Sequence, residues 1–470
     1  MARIGPDGRS SDMQVANVRI GFSDLAYRCP IKFGGRSVDR GTNLTVAVRV
    51  ITRAGREADG WGAMPLGNIW SFPSDRLDYD GTLGIMKDLA RRLGKGLPGL
   101  AGAAMLDPLD FGVLLEERAF ALAEEIARDR HLPVPVPRLC ALVVASPFDA
   151  AMHDAFGKAA GRSVYHCYGP EFIRHDLAHY LDSDFAGQYL DRYVSLRPKA
   201  RIPLYHLVGA LDPLTASDVA RPVGDGLPET LGEWIARDGL THLKVKLNGG
   251  DLDGDVERVL AVNRVADESA PDRAWRFSLD FNERCSNVEY LLAFLRRIEE
   301  TAPQAWERIQ YIEQPTARDL RAAPENRMHT AAAIKPVVID ESLVDYESLL
   351  LAEELGYSGV ALKACKGQTQ SLLMAAAASR KGMFLCVQDL TCPGAAFLHS
   401  AGLAARVPGV AAVEGNARQY CPAANTAWAE RFPGVFTVRE GSIETDSITG
   451  PGLGCVAPGQ SPADAQMEDA

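Results

Sequence analysis

The chain has 470 residues with 61 acidic and 50 basic side chains, a formal charge of −11, and its Lys and Arg are mixed among acids, which excludes the clustered basic face of a nucleic-acid binder. A hydrophobic share of 47% supplies a large core, and nowhere do about 18 apolar residues run without charge, so no membrane partner is expected. Nine Cys, an odd count without a Cys-x-x-Cys pair, fit reduced thiols, and the start at Met1–Ser10 lacks the apolar stretch of a secretory signal, so a cytoplasmic protein is expected.

Residues 1–137 lack a strand-then-helix rhythm. Alternating runs around Val18–Phe22 and Leu44–Ile51 predict strands, and two helical patterns follow at 82–96 and 111–130, an α+β unit. Residues 166–200 are rich in Tyr, Asp and His. Within them His175 and His179 stand at i and i+4, a spacing that can hold a metal on a helix, but with no third ligand in view a solvated helix face is the expectation. From there to about 430, apolar runs alternate with helical patterns. Strands are predicted near 202–209, 242–247, 277–282, 309–314, 336–341, 359–363, 383–388 and 411–415, which is the rhythm of a (β/α) TIM-type barrel. The expected organisation is an N-terminal α+β domain over 1–137, a barrel over 138–430, and a final segment, 431–470, that returns to the first domain and ends in a disordered tail from Pro458.

Five charged residues close successive strands: Lys246, Asp280, Glu313, Asp340 and Lys363, at gaps of 34, 33, 27 and 23 residues by subtraction. Buried parallel strands normally read as continuous apolar runs, and an ionised group there needs a partner or a metal. Any one of the five fits an ordinary loop charge. The evenly spaced set, acids in the middle and lysines at both ends, points to convergence at one end of a barrel. Lys244 lies two before Lys246 and so on the same face, where repulsion between ammonium groups favours a lowered pKa.

The motifs Lys244-Val-Lys246, Asp280-Phe-Asn282, Ile312-Glu-Gln-Pro315, Asp340-Glu-Ser342 and Leu362-Lys-Ala-Cys-Lys-Gly367 resemble, in order and spacing, those of the enolase superfamily in its mandelate racemase and muconate lactonizing branch. The stretch Phe148–Lys158 looks like the family segment that leads into the barrel. The resemblance implies an N-terminal capping domain, with the loop Gly21–Arg28, including Tyr27, closing over the barrel mouth to select substrate. It also implies that Asp280, Glu313 and Asp340 are three carboxylate ligands. Hard oxygen donors suit Mg²⁺, with Mn²⁺ as an alternative, and the lack of Cys and His argues against zinc. Asp340 rather than Glu341 is the expected ligand, since strand neighbours face opposite ways. The implied bases are Lys246 and Lys363, with Lys244 tuning Lys246; on opposite sides of an eight-stranded ring they would reach a bound carboxylate substrate from both faces.

Proton abstraction α to that carboxylate, with racemisation or epimerisation as the outcome, is the expected reaction; dehydration or cycloisomerisation follows if the neighbouring carbon bears a leaving group. A Schiff-base aldolase acting through Lys363, or a barrel that only binds a metal carboxylate, are the rival classes. A homo-oligomer acting on a small carboxylate is expected. The chain departs from the family in places. After strand seven it reads Cys386-Val-Gln-Asp-Leu-Thr-Cys-Pro393, with no catalytic His, and after strand eight it lacks the Asp-x-Asp of dipeptide epimerases, which disfavours that substrate. Asp389 and Glu414 continue the register and, with Asn282, are candidates for substrate contact; the alternative for the two acids is an ion pair to the lysines. His399 is expected to be structural. Arg418 could pair with a second carboxylate, but a surface position is favoured.

Overall fold

Three antiparallel strands, β1 (Met13–Phe33), β2 (Arg36–Thr52) and β3 (Glu57–Pro65), open the computed structural model, which describes residues 8–33, 35–455 and 467–470. Alternation along β2 turns Leu44, Val46, Val48 and Val50 inward, all fully buried. The segment Gly21–Arg28, expected as a loop, belongs to β1: the β1–β2 hairpin continues as a ribbon beyond the sheet, with a break in register between Ala26 and Ile31. A ribbon holds its shape through cross-strand hydrogen bonds, which an open loop lacks.

Helices α1 (Asn68–Ser71), α2 (Tyr79–Gly96), α3 (Pro108–Asp129) and α4 (Arg138–Ala159) follow. Asp78 caps α2 by accepting from the Gly81 amide, and Asp107 caps α3 by accepting from Leu109 and Asp110. By length and composition α4 alone among the described helices could cross a membrane, yet every part of its apolar stretch is enclosed by protein. It lies on β3 in near backbone contact. A Cβ added at Gly60 would stand 2.0 Å from the Ala151 carbonyl oxygen, and one at Gly62 would stand 1.9 Å from that of Pro147. Only glycine permits this approach.

The barrel then alternates strictly: β4 (Arg201–Val208), α5 (Leu231–Asp238), β5 (His242–Lys246), α6 (Leu252–Ser269), β6 (Arg276–Asp280), α7 (Val288–Thr301) with the short α8 (Pro303–Arg308), β7 (Ile309–Glu313), α9 (His329–Ile334), β8 (Val337–Ile339), α10 (Tyr346–Glu354), β9 (Gly359–Leu362), α11 (Gln368–Arg380), β10 (Phe384–Val387), α12 (Ala395–Arg406) and β11 (Val410–Glu414). All eight strands are parallel, and β11 closes the ring on β4 through Val413–Leu204 and Glu414–Tyr205 pairs. The fold is the α/β barrel with an α+β cap that the strand spacing predicts. Tyr205, Tyr311, Val338, Ala361, Cys386 and Ala412 fill the interior. All nine cysteines are free thiols.

After the barrel the chain adds β12 (Ser442–Glu444) antiparallel to β4, and Gly452 then packs against α4. The final strand β13 (Glu468–Asp469) pairs with Arg19 and Ile20 on the cap sheet. Most of the tail expected to be disordered, and the first seven residues, lie outside the described residues.

A Cβ added at Gly84 of α2 would meet nothing within 4 Å, whereas Gly62 of β3 has no room. Gly62→Ala should therefore lower stability by about 1–3 kcal/mol in urea unfolding, while Gly84→Ala, inside α2, should be neutral or stabilising by up to about 1 kcal/mol.

Candidate active site

At the carboxyl ends of the strands, where barrels of this type carry their chemistry, the charged residues meet. Lys244 is fully buried and acts as a hub. Its Nζ donates to Glu313 Oε1 at 2.8 Å, Gln388 Oε1 at 2.7 Å and Glu414 Oε2 at 3.0 Å, and lies 3.2 Å from Asp280 Oδ2. Lys246 Nζ reaches the same Asp280 oxygen at 2.5 Å. On the far side of the ring Lys363 Nζ stands 2.8 Å from Asp340 Oδ2, and Lys366 Nζ donates to the Asp340 carbonyl oxygen at 2.5 Å with Oδ1 at 3.3 Å.

Six carboxyl groups, those of Asp280, Glu313, Asp340, Glu341, Asp389 and Glu414, thus face four ammonium groups, those of Lys244, Lys246, Lys363 and Lys366. With every group ionised the carboxylates would outnumber the ammonium groups by two. Burial, and then the charge of Asp280, push the Glu313 carboxyl well above the usual range even against Lys244. Burial with Asp340 and Glu283 raises Glu341 to about 7, and burial with Glu414 raises Asp389 to about 6. Asp280 goes the other way: burial is outweighed by Lys246 and Lys244, which hold it below the ordinary carboxylate range. Asp340 is likewise held down, by Lys363 and Lys366 against burial. Lys244 does not show the depression that a lysine neighbour would cause. Burial pulls it down, but Glu313, Glu414 and Asp280 together raise it well above a normal lysine.

The donors Asp280, Glu313 and Asp340 are all hard oxygens, and Glu313 Oε2 is buried with no hydrogen-bond partner. An unpartnered carboxylate oxygen and an all-oxygen set have the chemistry of a hard-cation site, although the three carboxylates are not gathered to within 4.8 Å of one another and Lys244, Lys246 and Lys363 stand against them.

Elements around the mouth hold these side chains in place. Gln314, at φ +32° directly after Glu313, accepts from the Asp340 and Ser342 amides at 3.0 and 3.3 Å and donates to Ser342 Oγ at 2.9 Å, tying the end of β7 to that of β8. Asn282, at φ +44°, donates its amide to Asp280 Oδ1 at 2.8 Å and its side chain to Glu341 Oε1 at 3.3 Å. Backbone in this sparsely occupied region is the kind of strain that gathers at functional sites. The Phe148–Lys158 motif lies on α4. There Asp149 accepts from the amide and hydroxyl of Thr369, both at 2.8 Å, and His153 joins Thr369 to Tyr168. This latch fastens α4 to the start of α11, just beyond Lys363.

The cap supplies the other wall. A cavity open to solvent is lined by Lys244, Lys246, Asn282, Lys363, Asp389 and Glu414 from the barrel and by Tyr27, Ile31, Val38, Ile69, Trp70 and Tyr79 from the cap. Trp70 was not singled out by any motif. Its ring lies 4.1 Å from Lys363 Nζ, and its indole N–H donates to Glu341 Oε1 at 2.9 Å. Only an isolated aromatic after Gly67, which takes φ +51°, marks it in the sequence.

Of the two acids offered for substrate contact, Glu414 carries the ion pair to Lys244, while Asp389 accepts from the Cys392 and Asn416 amides at 3.0 and 2.9 Å. Both line the cavity. Arg418 corrects the surface assignment: it is only partly exposed, pairs with Asp238 and His206, and stacks 4.7 Å over Trp234, away from the cavity. Alternation cannot reveal this, because the burying partners come from α5 and β4. His399 is buried in α12 and meets Gln368 Oε1 at 2.8 Å, a structural position. His175 and His179 do not lie on an α-helix: a single 3-10 turn, Leu177–His179, carries the second of them, because Pro170 and repeated turns break up the segment.

Eight parallel strands with acids and lysines at their carboxyl rim, under an α+β cap, define an enzyme barrel. Residues 227–458 match the enolase C-terminal domain-like family. Solved structures with the same fold include muconate lactonizing enzyme from Pseudomonas fluorescens, complexed with muconolactone (19% identity over 97% of this chain and 100% of that one, TM-score 0.61). Another is the L-Ala-D/L-Glu epimerase from Bacillus subtilis (17%, 94% and 99%, TM-score 0.62). A third is a Bradyrhizobium enolase complexed with magnesium and mandelic acid (16%, 97% and 99%, TM-score 0.60). No curated protein matches the sequence. Residues 227–458 thus carry the enolase C-terminal domain of the mandelate racemase and muconate lactonizing branch, a branch of isomerases and lyases.

Removing the hub should expose the charge imbalance. Lys244→Met, unfolded by urea in the presence of chelator, should lose about 3–5 kcal/mol, because Glu313 and Glu414 are left buried without their cation. An unchanged midpoint would mean that the acids are neutral in the folded state.

Proposed function

We propose that the protein is a Mg²⁺-dependent enzyme, with Mn²⁺ able to substitute, that removes the proton α to a substrate carboxylate and returns one on the opposite face, a racemase or epimerase. The observation that carries this reading is the placement of Lys246 at the end of β5 and Lys363 beyond β9, four strands apart in an eight-stranded ring and lining one cavity. Two ammonium or amine groups facing each other across a site can serve the two faces of one carbon.

Asp280, Glu313 and Asp340 would hold the cation. When bound, it supplies Lewis-acid stabilisation of the charge that collects on the substrate carboxylate as the proton leaves. Lys246 Nζ takes the proton on one face and Lys363 Nζ delivers one on the other, in either direction. Trp70 lies against Lys363 and fixes its approach. Lys244 is bonded on three sides and so positions the acids rather than moving protons. Asn282 and Tyr27 line the cavity and would touch the substrate; Asp389 and Glu414 shape its floor.

The apolar and aromatic lining from the cap supports a small carboxylate with an apolar or aromatic far end. Arg40, the guanidinium lining the cavity, is already paired with Asp80 and stacked on Tyr79. The Lys363–Asp340 ion pair stands against a Schiff base at Lys363. With a leaving group on the neighbouring carbon the same two lysines would run a dehydration.

The test is incubation of aryl- and alkyl-substituted carboxylic acids with Mg²⁺ in D₂O. A metal-dependent gain of one mass unit, with inversion seen by chiral chromatography, is expected, and chelator should abolish it. Lys246→Met and Lys363→Met should each lose at least about 10²-fold in turnover while keeping Mg²⁺ affinity in calorimetry. Near-normal turnover in either variant would remove that lysine from the mechanism, and loss of water without exchange would assign the dehydratase reading.

A further inference from the structure

The cap and the segment that precedes the barrel meet at a second group of ligating side chains, far in sequence from the strand-end acids. Asp110 sits in the first turn of α3, and His175 and His179 come from the 166–200 segment. One carboxylate oxygen and one ring nitrogen from each histidine all lie within 4.8 Å of one another. His175 Nε2 is 3.8 Å from Asp110 Oδ2, and the two imidazoles stack with centroids 4.0 Å apart.

The surroundings hold this arrangement from both sides. The Arg174 amide donates to Asp107 Oδ2 at 2.8 Å and the Arg174 guanidinium to Asp12 at 2.8 Å. Tyr180 donates its hydroxyl to Asp110 Oδ1 at 2.7 Å, which leaves Oδ2 as the oxygen facing His175. The residue before the histidines and the residue after them are therefore fixed to the cap. Among the described residues neither histidine makes a close hydrogen bond that would commit its ring to another role, and His179 is exposed, so a fourth position is open to water.

We propose that Asp110, His175 and His179 bind a borderline divalent transition ion of the Zn²⁺ class, and that this ion clamps the 166–200 segment onto α3. Two imidazoles and a carboxylate suit such an ion and do not suit Mg²⁺, which prefers an all-oxygen set. Tetrahedral bonds of about 2.1 Å place ligand atoms about 3.4 Å apart, so small side-chain rotations close the cluster. The site is distinct from the barrel carboxylates and does not depend on the reaction proposed for them.

The experiment is Zn²⁺ titration of the full-length, chelator-stripped protein by competition with a chromophoric chelator, in millimolar Mg²⁺ to occupy the hard-oxygen site. Wild type should bind one equivalent that Mg²⁺ does not displace. His175→Ala and His179→Ala should each weaken it at least about 10-fold, and Glu313→Gln should leave it intact. Zn²⁺ should also raise the unfolding temperature of wild type but not of the double histidine variant, as ligand linkage requires. Co²⁺ in place of Zn²⁺ should show no thiolate charge-transfer band, which separates this site from cysteine binding. Absence of a retained equivalent in wild type, or equal binding by the double variant, would overturn the proposal.

Discussion

Everything at the barrel mouth turns on one constraint: charges packed together out of water must be compensated by one another. Lys244 meets it by touching Glu313, Glu414 and Asp280 at once, a geometry that a less buried lysine on a flexible loop could not hold. Such a cluster is costly to assemble, because desolvation offsets most of the Coulombic gain. Local rules of stability are broken here and the cost is offset elsewhere in the fold, the pattern that functional sites follow.

The offset comes from rigid neighbours. Gln314 fastens two strand ends through its side-chain amide, and the Asp149–Thr369 latch anchors α11 behind Lys363. Helix α4 serves both domains: it lies on β3 at glycine contact on one side and holds α11 on the other. A shift of α4 would therefore move the cap wall, with Trp70, and the Lys363 wall together. That coupling links the packing of the cap to the precision of the site.

Relatives of the same fold share under a fifth of their residues with this chain, and fold alone does not settle a reaction. The cap lining of the cavity is here largely aromatic and apolar. The ribbon formed by β1 and β2, rather than a free loop, presents Tyr27, Ile31 and Val38 to the cavity. These lining side chains thus belong to a hydrogen-bonded element.

The eight barrel strands were legible within a residue or two, because a buried parallel strand must be a continuous apolar run and its terminal charge then stands out. Lys246, Asp280, Glu313, Asp340 and Lys363 were legible for the same reason. The sequence could also show His175 and His179 as a pair, but not Asp110, which lies 65 residues earlier. Tertiary structure decided the remainder. It put Trp70 beneath Lys363, turned Arg418 inward onto Trp234 and Asp238, made Lys244 a hub and drew the first loop into a strand. Each of these depends on which elements meet in space. Periodicity along a chain reports which face of a strand or helix is buried, and carries no record of the partner that buries it.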